Sequence, residues 1–341
     1  MKQVPSNIII SRTDSIGDVV LTLPVAKVLK DFFPSVKIGF LGKAYTKGII
    51  EACKYVDEFI ELEDFLNKPV TVCGESAEAI IHVFPVAKIA RRAKQLQIPR
   101  RIGTTNRLYH WLSCNELVKL SRKKSLLHEA QLNLKLLKPF GIDSDCSLDE
   151  IGNSFGLERL EPLGENIIAL IEKNRYNLIL HPKSQGSARE WGLQNFIDLV
   201  KLLDPHKYRI FISGTRQERE KLQPLFDAVT AQVVDITGTM DLKQFISFIN
   251  HCDGLVANST GPLHIAAALG KEAFGIYPPL RPIDPGRWAP LGPNAKFFVL
   301  DKSCTDCKGN THACSCIEKV KPEWIQSALE ASAFKGGKPG T

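Results

Sequence analysis

The stretch LVANSTGPLHIAAALG, residues 255–270, decides the fold of this chain, because it reads as a buried strand, a polar turn and a helix of small apolar residues. Thr260 is placed to cap the helix, and Pro262 lies in the first turn, where a missing backbone N–H costs nothing. Gly261 permits close backbone approach, so the free N–H groups and the helix dipole can face an anion. The pattern predicts either a phosphate-bearing ligand at the carboxyl end of a strand or an ordinary strand-to-helix turn that binds nothing.

Length and composition indicate a soluble globular protein of two domains. The chain has 341 residues, of which 44% are hydrophobic and 24% are charged, and this length supports two separate cores. The first ten residues lack a long apolar run, and no later run reaches the roughly 18 residues of a membrane helix. We therefore expect a cytoplasmic protein with no spanning segment.

Strand-like and helical patterns alternate along both halves, which predicts parallel sheets built from repeated βα units. Strands are predicted at residues 7–11, 36–40, 59–62, 79–83, 177–181, 208–213, 232–235, 253–257 and 272–276. Helices are predicted at residues 19–33, 128–137, 193–203, 215–228 and 321–334, with Pro24 either kinking the first helix or marking its true start. Turn formers and acids at residues 143–164 indicate the linker. The predicted fold class is α/β, with two Rossmann-like domains (1–160 and 161–320) facing across a cleft, then a terminal helix and frayed tail (321–341).

Positive charge is concentrated in the segment 88–124, which holds eleven Lys or Arg residues and one acid, Glu116, and therefore carries a charge of +10. Tyr109 and Trp111 lie within it. A basic stripe with aromatic residues suits a polyanion, either a nucleic acid or a membrane with anionic headgroups. A solvated face of a helical region is the alternative.

Four of the nine cysteines form the pattern Cys304-x2-Cys307-x6-Cys314-x-Cys316, with His312 beside them. Four soft ligands within so short a stretch could hold a structural zinc ion. The Cys-x-Cys half departs from the usual Cys-x2-Cys spacing, so reduced or disulfide-forming structural cysteines remain the alternative.

A polar loop, residues 12–18, follows the first predicted strand. Its single glycine, Gly17, disfavours a dinucleotide-binding fingerprint. Asp18 directly after it could act as a general base for a hydroxyl group, or could simply cap the next helix. Asp14 is the rival base.

A second loop, residues 181–191, offers two hydroxyls, a flexible glycine and two cations, a combination suited to phosphate. The hydroxyls belong to Ser184 and Ser187, and Arg189 can bind a diphosphate through its forked guanidinium. An ion pair between Arg189 and Glu190 or another neighbour is the alternative. No P-loop motif is present in the chain, which argues against a P-loop nucleotide hydrolase.

Taken together, three motifs resemble glycosyltransferase family nine, the bacterial lipopolysaccharide heptosyltransferases. They are RTDSIGDVVLTLP at 12–24, HP through REW at 181–191, and STGPLHIAAALG at 259–270; His128-Glu129 and Asn133 also fit. The resemblance runs in order from about residue 7 to about residue 300. It implies a GT-B fold and an inverting, metal-independent transfer of heptose from ADP-heptose to a lipid-linked sugar of the inner core.

The resemblance also implies roles for individual residues. Asp18 corresponds to the general base, and Arg189 to the cation on the donor diphosphate. The donor-binding set is Gly17, Ser184, Ser187, Ser259, Thr260, Gly261, Pro262 and His264. Acceptor binding falls to the first domain, where we expect the contributing cations to be Arg12, Arg91, Arg92 and Arg107.

The implied partners are a nucleotide-sugar donor, a lipid-linked oligosaccharide acceptor and the inner leaflet of the cytoplasmic membrane, with peripheral attachment and no nucleic acid. No cofactor or catalytic metal is implied. Ser259 stands where many family members carry Asp, so a different nucleotide sugar remains open as the donor. A non-catalytic polyanion-binding protein with a structural zinc is the alternative from another class. An oxidoreductase or epimerase is disfavoured by the missing glycine fingerprint.

Overall fold

The computed structural model describes residues 5–302, Cys304 and residues 314–333. The chain divides into two compact units, Met1–Arg159 and Leu160–Thr341. Cys307, His312 and the predicted tail after residue 334 lie outside the described residues. No helix in the described ranges is both long and apolar enough to cross a bilayer.

The first unit is built on a sheet of six parallel strands in the spatial order β3-β2-β1-β6-β7-β8. Its strands are β1 Asn7–Ser11, β2 Lys37–Gly42, β3 Glu58–Glu61, β6 Ala79–His82, β7 Arg100–Thr104 and β8 Glu116–Val118, and a separate hairpin pairs β4 Thr71–Val72 with β5 Glu75–Ser76. Its helices are α1 Ile16–Val20, α2 Leu23–Phe32, α3 Lys47–Glu51, α4 Leu62–Asn67, α5 Ala87–Gln95, α6 Leu108–Ser113, α7 Glu129–Leu134 and α8 Leu148–Gly152. Short 3-10 turns cover Ala44–Thr46 and Lys135–Phe140.

The second unit repeats this plan with the order β11-β10-β9-β12-β13-β14, again all parallel. Its strands are β9 Tyr176–His181, β10 Tyr208–Ile212, β11 Val233–Asp235, β12 Gly254–Asn258, β13 Glu272–Ile276 and β14 Ala295–Phe298. Its helices are α9 Glu165–Ile168, α10 Leu193–Leu202, α11 Arg216–Arg219, α12 Gln223–Val229, α13 Leu242–His251, α14 Gly261–Ala268, α15 Pro285–Trp288, α16 Ser315–Glu318 and α17 Pro322–Ala333. Further 3-10 turns cover Glu220–Leu222 and Thr230–Gln232.

The central strands show why the sequence adopts this architecture. Every residue of β1 is buried, and Ile8, Ile9 and Ile10 have no exposed surface. Strands that are covered on both faces read as continuous apolar runs, which is typical of parallel sheets. The predicted pair of Rossmann-like α/β domains is therefore confirmed.

Both sheets reverse their direction of winding beside the first strand of the unit, between β1 and β6 and between β9 and β12. Ligands of open α/β sheets bind outside the carboxyl ends of the strands at such a switch point. In the first unit the polar loop after β1 leaves the sheet at this point. In the second unit the polar loops after β9 and β12 do the same. The topology thus places the three motif loops where a ligand is expected.

Several local predictions were wrong for identifiable reasons. The basic segment contains two strands, β7 and β8, which the pattern missed because their ends are charged. The predicted helix at 19–33 is two helices, and of the two alternatives for Pro24 the second is confirmed, because Pro24 lies in the first turn of α2 and marks its start. The predicted helix at 215–228 is likewise interrupted, and Pro224 lies in the first turn of α12. The strand β14 was also missed, because it is short and follows a proline-rich loop.

Candidate functional site

A buried guanidinium organises the loop that follows β1. Arg12 donates from Nε to Asp14 Oδ1 (2.7 Å), from Nη2 to Asp18, and from Nη1 to Glu129 Oε1 (3.0 Å). Burial lowers the pKa of Arg12, but the charges of Asp18, Asp14 and Glu129 outweigh this effect and leave the pKa raised. Arg12 therefore holds three acidic side chains in place, and its predicted contact with an acceptor stays a prediction.

Asp18 is a partly exposed carboxylate in a fixed arrangement. Asp18 accepts hydrogen bonds from Arg12 and from the Ser15 hydroxyl, and its side chain is 16% exposed, against 21% for Asp14. Ser15 occupies the N-cap position of α1, so the capping role considered for Asp18 belongs to another residue. A partly exposed carboxylate that is oriented by two donors has the geometry of a general base.

Asp14 has a different electrostatic environment. Burial raises its pKa to about 6, Arg12 opposes this shift, and the nearby charge of Asp18 adds to it. The two carboxylates thus share one guanidinium, and Asp14 can hold a proton near neutral pH. Asp14 therefore remains the rival base.

A second arginine supports this cluster from the basic segment. Arg122 donates to Glu129 Oε1 (2.9 Å), to Asn133 Oδ1 (3.0 Å) and to the carbonyl of Val83 (2.9 Å). Asn133 in turn donates to the carbonyl of Leu21 (3.0 Å), next to α1. No local pattern marks Arg122 beyond its charge, because its partners lie in other segments of the chain.

In the second unit, a carboxylate occupies the candidate phosphate cradle after β9. Glu190 Oε1 accepts from the Ser184 backbone N–H (3.1 Å) and shares the Ser184 hydroxyl (3.2 Å) with the Ala188 carbonyl (3.0 Å), and Oε2 accepts from the Lys183 ammonium. Between Ser184 and Glu190 the chain makes a tight turn, in which Gln185 and Gly186 both have positive φ. Ser187 is exposed and donates to the Ser184 carbonyl (2.7 Å), while Arg189 is half-buried. These donors are of the types that bind phosphate, and here they hold an internal anion.

A buried amide joins this loop to the turn after β12. Asn258 accepts from the Trp191 backbone N–H (2.8 Å) and donates to the Pro182 carbonyl (2.9 Å). The Trp191 indole donates to the carbonyl of Val320 (2.7 Å), which anchors the loop on the segment before α17. One side chain thus fixes both motif loops of the second unit relative to each other.

The turn that opened the sequence argument has the predicted form. Thr260 is the N-cap residue of α14, and Pro262 lies in the first turn of that helix. Thr260 Oγ1 is buried and has no hydrogen-bond partner among the described residues. His264 is also buried, one turn into the helix. A buried hydroxyl left over at a helix N-terminus is suited to a ligand anion.

Other predicted residues lie apart from these loops. Arg91 and Arg107 are exposed, whereas Arg92 donates to the carbonyls of Phe65 (3.3 Å) and Lys68 (3.0 Å). Arg91 and Arg92 lie in α5, and Arg107 directly precedes α6. The acceptor-binding role of all three stays a prediction.

The described cysteines of the C-terminal pattern are packed in the core. Cys304, Cys314 and Cys316 are buried, and the sulfur atoms of Cys304 and Cys316 lie 3.4 Å apart. Within the described residues, no group of three or more His, Cys, Asp or Glu side chains is arranged to hold a metal ion. Zinc binding stays a prediction, since Cys307 falls outside these residues.

Comparison with known proteins identifies the family. Residues 71–318 match the family model described as glycosyltransferase family 9 (heptosyltransferase). The chain is 25% identical over 306 residues, or 86% of its length and 88% of its relative's, to a Haemophilus influenzae protein classed as a glycosyltransferase. It is 18% identical over 293 residues to the lipopolysaccharide core heptosyltransferase OpsX of the same organism, covering 81% and 80% of the two chains.

Solved structures share the fold. A glycosyltransferase family 9 protein of Veillonella parvula superposes with a TM-score of 0.80 at 18% identity, covering 97% of this chain and 98% of that one. Escherichia coli ADP-heptose lipopolysaccharide heptosyltransferase II gives a TM-score of 0.74 at 16% identity, covering 97% and 99%. These likenesses confirm the predicted GT-B fold class.

Proposed function

The chain belongs to glycosyltransferase family 9, and from this membership we propose that it transfers heptose from ADP-heptose to a lipid-linked sugar of the lipopolysaccharide inner core. The names of its relatives support the donor and the acceptor class, since they include an ADP-heptose lipopolysaccharide heptosyltransferase and a core heptosyltransferase. We assign the acceptor to the first unit and the nucleotide sugar to the second.

Asp18 is the proposed base, and its geometry is the observation that carries the proposal. Its partly exposed carboxylate, held by Arg12 and Ser15 at the switch point, takes the proton of the acceptor hydroxyl. The hydroxyl oxygen then bonds to the anomeric carbon while the bond between that carbon and the diphosphate oxygen breaks. ADP leaves with the electron pair, and the configuration at the anomeric carbon is inverted.

The second unit stabilises the charge that develops on the leaving ADP. We propose that Arg189, the Ser184 hydroxyl and the turn at Thr260 and Gly261 donate to the diphosphate. Such preorganised donors contribute roughly 2.7–4 kcal/mol each when they act on a developing anion. With these donors in place, we expect transfer to proceed without a divalent metal.

The decisive experiment is turnover of ADP-heptose on a truncated lipopolysaccharide acceptor in the presence of EDTA. We expect activity to survive chelation, to fall by at least 100-fold in Asp18→Asn, and to change far less in the matched variant Asp14→Asn. The reverse ranking of the two variants would move the base to Asp14. In Arg189→Ala we expect a large loss of ADP affinity, and unchanged affinity would remove Arg189 from the donor site.

A different nucleotide sugar is the second candidate, and the environment of Ser259 favours testing it. Ser259 lies beside the buried Tyr277, whose hydroxyl donates to the Trp288 carbonyl (2.5 Å). A neutral hydroxyl binds sugar hydroxyls more weakly than a carboxylate does. Competition between ADP-heptose and other ADP-sugars in the same assay identifies the preferred donor.

A further inference from the structure

The most exposed large hydrophobic side chains among the described residues all lie within residues 108–126 of the first unit. Leu108 is 87% exposed, Leu112 76%, Leu126 73% and Trp111 60%, and no other large apolar side chain in the described ranges exceeds 55%. Single exposed hydrophobics are common on protein surfaces, but a cluster of them marks an interaction site.

The helix α6 presents three of these side chains on one face. Leu108, Trp111 and Leu112 have the i, i+3, i+4 spacing that places residues on a common side of a helix. His110 and Ser113 on the other side are buried. The Trp111 indole N–H donates to the Thr105 carbonyl (3.0 Å), so the exposed ring is held in position. The helix is therefore amphipathic, and its apolar face points away from the core.

The segment that leads to Leu126 and the loop with Asp18 leave the sheet at the same edge. The Thr105 N–H donates to the Val118 carbonyl (3.0 Å), which joins the carboxyl ends of the parallel strands β7 and β8. The segment leading to Leu126 leaves the sheet at this end of β8. The loop with Asp18 leaves β1 at the same edge, because all six strands are parallel. A partner on this surface would thus lie at the edge of the unit that carries Asp18.

Exposed cations flank the apolar residues along the chain: Arg107, Lys119, Lys123 and Lys124. They belong to the segment 88–124, with its charge of +10. An apolar helix face with flanking Lys and Arg is the pattern of a segment that lies in the headgroup region of an anionic membrane. A single-stranded nucleic acid would instead need aromatic stacking residues, and three of the four exposed side chains are aliphatic.

We propose that α6, Leu126 and these four cations, which we call the α6 surface, dock the first unit on an anionic phospholipid bilayer. The apolar side chains enter the headgroup and acyl boundary, and the cations meet the lipid phosphates. The inference rests on the proposed function only in that a lipid-linked acceptor lies in such a bilayer.

The test is flotation of the purified full chain with vesicles of phosphatidylethanolamine and phosphatidylglycerol. We expect the wild-type protein to float with these vesicles and not with pure phosphatidylcholine. Leu108→Ser/Leu112→Ser should reduce the partition coefficient at least tenfold, and Lys123→Glu/Lys124→Glu should reduce it most strongly at low salt. Phe32→Ser removes another exposed apolar side chain (55%) of the same unit and should have no effect.

Three outcomes overturn the proposal: vesicle binding that is unchanged in the Leu108/Leu112 variant, binding of the α6 surface to single-stranded DNA instead of vesicles, or self-association that this variant abolishes. Turnover of ADP-heptose on a delipidated acceptor separates membrane docking from the proposed transferase activity. On that acceptor the Leu108/Leu112 variant should keep wild-type turnover. A wild-type protein that floats but does not turn over ADP-heptose would contradict the proposed function and leave the α6 surface standing.

Discussion

Replacing Glu190 with glutamine is expected to strengthen ADP binding. The Glu190 carboxylate accepts from the Ser184 N–H, the Ser184 hydroxyl and the Lys183 ammonium, and the Ser184 hydroxyl is one of the groups proposed to bind the diphosphate. A bound diphosphate must displace this carboxylate or tolerate its negative charge. Glu190→Gln keeps the length of the side chain and removes the charge.

The magnitude follows from the exposure of the contact. The side chains of Lys183 and Glu190 are 17% and 31% exposed, so water screens their ion pair, which is worth up to about 1 kcal/mol. Removing the repulsion between the carboxylate and the diphosphate adds a similar amount, roughly 1 kcal/mol at about 4 Å in water. The sum of about 1–2 kcal/mol corresponds to ADP affinity that is about 5–30 times higher in Glu190→Gln.

Isothermal titration of ADP into the wild type and Glu190→Gln measures this difference. Asp198→Asn is the matched control, because it removes the same charge from the neighbouring helix α10 and should leave ADP affinity unchanged. Equal or weaker binding in Glu190→Gln refutes the reasoning, and would show that the carboxylate holds the loop in its binding shape rather than competing with the ligand.

Three further outcomes are expected. Burial lowers the pKa of His82 to about 3 from 6.5. The neutral buried ring costs the folded state nothing above pH 6.5, but as pH falls from 6.5 towards 3 the unfolded chain takes up the proton and the free energy of unfolding decreases. His82→Gln should therefore reduce the loss of unfolding free energy between pH 7 and 4.5 by about 3 kcal/mol, measured by urea denaturation; parallel curves for the two proteins would contradict this. Thr260→Val should weaken ADP binding with little change in Tm, because Thr260 Oγ1 has no hydrogen-bond partner in the described structure; a fall in Tm with ADP affinity intact would oppose that role. Glu129→Gln should destabilise the first unit by about 1.5–3 kcal/mol, since it removes the charge that accepts from Arg12 and Arg122 while Arg12 keeps its pairs with Asp14 and Asp18, and a Tm within 1 °C of the wild type would disprove this.

The sequence predicted the parallel sheets and the three motif loops because these features are local. Apolar runs such as β1 and the strand–turn–helix pattern at residues 255–270 carry their own signal. The wider site depends on contacts between distant parts of the chain, such as the pair of Arg12 with Glu129, and no short pattern reports them. The occupation of the phosphate cradle by Glu190 was missed for a related reason: an ion pair with Arg189 was considered, but the side chains of Lys183 and Ser184 turn to the carboxylate instead.

The amide of Asn258 has a consequence for engineering donor specificity. Its nitrogen donates to the Pro182 carbonyl while its oxygen accepts from the Trp191 N–H, so neither aspartate nor leucine can replace both contacts. A directed-evolution library that randomises residues 183–190 can explore new donors as long as Asn258 stays constant. If residue 258 were varied as well, most clones would lose the alignment of both loops together, and beneficial changes in either loop would go undetected.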